Sequence, residues 1–137
     1  MWSWMNTIRG FFAPPNAKLY RVSWDELELR LRSDDGDGWS QPWGDIDRIV
    51  TFKEDQLVTD HVYLEFHSRA DDLCYLVEES DPGFDDLREE LCRRYEGFPE
   101  DWYFQTTREP FAYSYRVLYE KSAPAAGASG DPAQRIR

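Results

Sequence analysis

The stretch from Glu26 to Arg32 reads ELELRLR and alternates without a break. Leu27, Leu29 and Leu31 fall on one side; Glu26, Glu28, Arg30 and Arg32 fall on the other. A period of two is the signature of a strand with one face in an apolar core and one in water, and it excludes a helix here. The pattern recurs along the first half of the chain. Tyr20, Val22 and Trp24 share a face in KLYRVSW, and Val62, Leu64 and Phe66 are expected to point inward in HVYLEFH. In DIDRIVTFKED, Ile46, Val50 and Phe52 are expected near one face, and LCYLVEE gives a further strand. SDDGDG reads as a hairpin loop, and SRADD as the polar link of an antiparallel pair. Trp39, Pro42 and Trp43 read as an irregular stretch.

The period then changes. Phe84, Leu87, Leu91 and Tyr95 recur every three or four residues, which predicts one buried face of a helix. Asp81 is expected to cap it, with Pro82 at its first position and Gly97 beyond its end. Asp85 and Asp86 suit the positive end of the helix dipole, and Arg93 and Arg94 the negative end. A last strand is expected in FAYSYRVLYEK, with Phe111, Tyr113, Tyr115, Val117 and Tyr119 on one face. The expected class is α+β: a curved antiparallel sheet or small barrel of five to six strands, with one helix packed on it from the C-terminal half.

Residues 17–121 form the expected single domain. Residues 122–137, SAPAAGASGDPAQRIR, read as a flexible tail. Residues 1–15, MWSWMNTIRGFFAPP, read as an amphipathic helix. At about 100° per residue, Met1, Trp4, Met5, Ile8, Phe11 and Phe12 gather within an arc of about 120°. Trp4, Met5, Ile8, Phe11 and Phe12 are the candidate docking residues of this helix. It lacks the basic start and unbroken apolar core of a secretory signal. It is also shorter than the roughly 18 to 20 apolar residues that a spanning helix needs.

Composition narrows the chemistry. The 27 acidic and 16 basic residues leave a net charge of −11, which repels nucleic-acid phosphates and anionic lipid. No nucleic-acid partner is expected. The two cysteines, Cys74 and Cys92, supply neither a disulfide framework nor a zinc set, and they suit a cytoplasmic protein. SDDGDG fails as a calcium loop, because Trp39 and Ile46 occupy ligand positions. No phosphate loop, nucleophile elbow or zinc-protease motif occurs. His61, Tyr63, Glu65 and His67 share the expected outward face of one strand. His61 and His67 stand roughly 20 Å apart along it, too far to share an ion. Glu65 and His67 are neighbours there and could form a weak acid–base pair; the expected setting is a solvated strand face. No catalytic residue, metal or cofactor is expected. Trp39, Trp43, Trp102 and Tyr103 are the candidate partner-binding residues, since such side chains dominate interface hot spots.

Three segments carry a resemblance: W-G-D-I-D-R-I-V-T-F-K-E-D from Trp43, D-H-V-Y-L-E-F from Asp60, and E-E-S-D-P-G-F-D-D-L from Glu78. Over residues 18–120 the chain resembles small, mostly uncharacterised bacterial proteins with a W-x-D-I-x-x-I-x-x-F-K-x-D motif. The order of strands then helix is also similar to pleckstrin-homology-like barrels, although there the helix closes the chain and here a strand follows it. Small acidic proteins of this kind include immunity proteins, which bind and neutralise toxins. The resemblance implies a fold more than an activity.

The leading expectation is therefore a non-enzymatic, immunity-like binding module for a basic protein. Alternatives are a membrane-associated adaptor acting through residues 1–15, and an enzyme of unknown class built around Glu65 and His67.

Overall fold

The computed structural model describes residues 19–55, 60–108 and 114–121. The expected N-terminal helix (residues 1–15) and the tail (residues 122–137) lie outside these described residues. Seven strands and two helices occur among them. Strands β1 (Tyr20–Trp24), β2 (Glu28–Ser33) and β3 (Gly38–Pro42) form one antiparallel meander. Strands β4 (Ile46–Asp55), β5 (Asp60–Ser68), β6 (Cys74–Glu78) and β7 (Ser114–Glu120) form a second antiparallel sheet in the order β6-β5-β4-β7. Helix α1 (Phe84–Arg94) follows β6, and α2 (Trp102–Thr107) precedes β7.

The expected barrel does not close. The chain leaves β3 at Pro42, which has no N–H to donate, and turns through a short 3-10 segment, Trp43–Asp45, into the second sheet. The two sheets share a core instead of a ladder. Val22, Leu29, Leu31, Trp39 and Trp43 from the first meet Ile46, Ile49, Val62, Leu64, Phe66, Tyr75 and Val77 from the second. Phe84, Leu87, Leu91, Phe98 and Trp102 pack into the same cluster from the helical side.

Several local expectations are corrected. The stretch at Trp39 is a strand, β3, zipped to β2 with Leu31 opposite Trp39. A second helix exists at Trp102–Thr107, where six residues are too few to show a period. Leu27 is 77% exposed. It sits in a turn where the Asp25 carboxylate accepts the N–H groups of Leu27 and Glu28, so the buried alternation begins at Leu29. Ile46, Val50 and Phe52 do not share a face. The register slips between Ile46 and Arg48, so an extra residue turns Ile49 and Thr51 to the core side and Arg48, Val50 and Phe52 to the other. A second slip, opposite Leu118, splits β7: Tyr115 and Val117 face out, while Leu118 is buried and Tyr119 packs against the core. Phe111 and Tyr113 lie outside the described residues.

Helix α1 is capped by Gly83 (φ +95°) rather than Asp81. The Asp81 carboxylate turns back and accepts the Glu78 N–H at 2.9 Å. The Pro82 carbonyl accepts the Val22 N–H at 2.9 Å, which ties β1 to the start of α1.

Candidate functional site

The four aromatic residues picked from sequence divide in an instructive way. Trp39, Trp43 and Trp102 are 6%, 8% and 1% exposed, so these indoles are core, not surface anchors. Trp39 packs on Tyr75 with ring centroids 5.2 Å apart. Trp43 donates its Nε1–H to the Asp25 carbonyl at 2.9 Å, and the Arg94 guanidinium lies 4.1 Å over its ring. Tyr103 alone is half-exposed; it donates its hydroxyl to Glu79 at 2.7 Å and lies under Arg88 at 4.0 Å. Burial, and then the Glu79 carboxylate, push the Tyr103 phenol up to about 12, so it stays a neutral donor. The candidate docking residues Trp4, Met5, Ile8, Phe11 and Phe12 lie outside the described residues.

The exposed chemistry is acidic and lies on the helical layer. Residues 79–101 hold nine carboxylates against three arginines. Asp85, Asp86, Glu89, Glu96, Glu100 and Asp101 are exposed. The arginines are paired with neighbouring side chains. Glu90 holds Arg93 at 2.7 Å and Arg94 at 2.9 Å, and Asp85 and the Tyr103 ring hold Arg88. A recess of about 250 Å³ opens at the start of α1, lined by residues 79–86, Glu79, Phe84, Asp85 and Asp86 among them. Phe104, 66% exposed, stands on the neighbouring helix.

The far face of the second sheet departs most from expectation. Tyr63 is fully buried and His67 is 6% exposed, so this is no solvated strand face. The predicted neighbours Glu65 and His67 do meet, with Oε1 and Nε2 2.7 Å apart. Cys74 joins them. It stands directly opposite His67 in the β5–β6 ladder, with Sγ 3.4 Å from His67 Nδ1 and 3.7 Å from Nε2. His61, at the other end of β5, pairs with Glu78 at 2.7 Å. Neither cysteine has a histidine close in sequence, so sequence reasoning left such a pairing open. The signal was the hairpin link itself, whose length sets which residues of β5 and β6 face each other.

The Cys74 Sγ therefore lies at similar distances from the two ring nitrogens of His67.

No helix among the described residues is long and apolar enough to cross a membrane. Comparison of the chain with protein-family models, curated proteins and solved structures gives no match.

Proposed function

We propose that this chain is a non-enzymatic protein-binding module, immunity-like in character, whose acidic helical layer receives a basic protein. One observation carries the reading: six exposed carboxylates lie on and beside α1 and α2, and of the four arginines there Arg88 pairs with one of them, Asp85, while Arg93 and Arg94 pair with Glu90 and Arg108 bonds Gln105. The layer therefore presents a net negative charge, which speeds encounter with a basic partner and penalises acidic ones. The recess beside Glu79, Asp85 and Asp86 is the natural seat for a lysine or arginine of that partner, and exposed Phe104 supplies apolar contact. This moves the binding surface away from the buried indoles. The net charge of −11 supports the same reading.

The test is affinity capture from the native host, followed by measurement of the captured partner's affinity across a salt series. Charge reversal of Asp85, Asp86 and Glu89 to lysine should weaken association at least about tenfold, or 1.4 kcal/mol, at low salt. The wild-type affinity should fall as salt rises. An affinity indifferent to both salt and charge reversal would sink the proposal.

A further inference from the structure

We infer that Glu65, His67 and Cys74 form a binding site for a borderline-soft divalent cation of the zinc type. The inference is independent of the acidic helical layer: Cys74 opens β6, and the recess lies beyond that strand's other end.

Period two puts Glu65 and His67 on one face of β5, and the β5–β6 register brings Cys74 to the same face. One oxygen, one imidazole nitrogen and one sulfur then lie within 4.8 Å of one another. These are the three donor types that zinc accepts, with bonds of about 2.0 Å to nitrogen and oxygen and about 2.3 Å to sulfur. Calcium and magnesium want oxygen shells and would gain little from a thiolate.

Charge favours the same ion. Cys74 is 3% exposed and His67 6%, so a bare charge would be costly there. A thiolate, a carboxylate and a neutral imidazole sum to −2, which a divalent cation cancels. The cation displaces the thiol proton to solvent, and no electron transfer is involved. Arg48, opposite His67 on β4 and paired with Glu120 at 3.8 Å, opposes a bare cation.

The adjustment needed is local. Bonds of these lengths set ligand atoms about 3.3–3.7 Å apart around a tetrahedral ion. Glu65 Oε1 and His67 Nε2 are closed to 2.7 Å by their hydrogen bond. Opening that contact, and turning the imidazole so that one lone pair faces Sγ and the carboxylate, builds a three-ligand site. Glu65, with its side chain 18% exposed, is the most exposed of the three ligands.

The probe is Co²⁺, titrated into the full-length reduced protein and then displaced with Zn²⁺. The expected result is a thiolate-to-cobalt charge-transfer band and four-coordinate visible bands, saturating at one ion per chain and lost on adding Zn²⁺. Cys74→Ser should abolish the charge-transfer band, and Cys92→Ser should retain it. Glu65→Gln should keep the fold and weaken binding by at least roughly 10- to 100-fold. Far-UV circular dichroism checks that each variant is folded; if Cys74→Ser is not, Cys74→Ala replaces it. No band in the wild-type protein, or a band that survives loss of Cys74, would overturn the inference.

Discussion

At the scale of single residues, two glycines with similar backbones make unequal demands. Gly83 and Gly36 have φ of +95° and +91°, a region that an L side chain enters at a cost of about 1–2 kcal/mol. Around Gly36 a Cβ would meet nothing within 4 Å; at Gly83 it would lie 2.4 Å from the Val22 carbonyl oxygen and 2.9 Å from Val22 Cγ1. Gly83 also heads α1 where Pro82 accepts the Val22 N–H, so no slack is available. Gly36→Ala should therefore cost about 1–2 kcal/mol, from backbone strain alone. Gly83→Ala should cost about 3 kcal/mol or more, because overpacking is added to strain. Urea denaturation of both variants decides it, and equal losses would show that Val22 yields freely. Lys53 makes the opposite lesson visible. It is fully buried on the core side of β4, with Nζ 3.4 Å from Asp60.

At the scale of elements, the β1–β2 turn is held by one carboxylate. Asp25 accepts the N–H groups of Leu27 and Glu28 at 2.8 and 3.0 Å and pairs with Arg30 at 3.0 Å. Those two backbone bonds, and then Arg30, hold its carboxyl down at about 2 instead of the usual 3.8. A depressed folded-state value means stabilisation that is present above the unfolded value and lost as pH falls through the folded one. Asp25→Ala should thus destabilise the protein at neutral pH. The gap between variant and wild type should narrow between about pH 4 and pH 2, measured as Tm across that range. A gap constant down to pH 2 would mean that the turn does not depend on the carboxylate's charge. The strand alternation of β2 and the apolar face of α1 were legible because each is a local period. The bulges in β4 and β7 were not, since an extra residue is defined only against a partner strand.

At the scale of the whole molecule, the two sheets share no ladder yet bury their side chains in one cluster. Trp39 and Trp43 belong to the first sheet and its exit turn, and Trp102 to α2; all three are in that cluster. The sheets and helices should therefore unfold together. Tryptophan fluorescence and far-UV circular dichroism should give coincident urea transitions. Two separated midpoints would show that the three-stranded meander melts by itself.

What the sequence alone determined is the set of elements whose hydrophobic period is written locally: most of the strands, helix α1, the α+β class and the acidic surface. Tertiary structure decided the rest. It closed the core as two sheets rather than one barrel, because Pro42 and the following 3-10 segment turn the chain out of the first ladder. It placed Trp39, Trp43 and Trp102 in the shared core, because a large apolar ring gains more from burial than from exposure. It also set Cys74 against His67 and Glu65, a meeting that depends on strand register and on burial of a second sheet face. Neither is encoded in the spacing of residues along one strand.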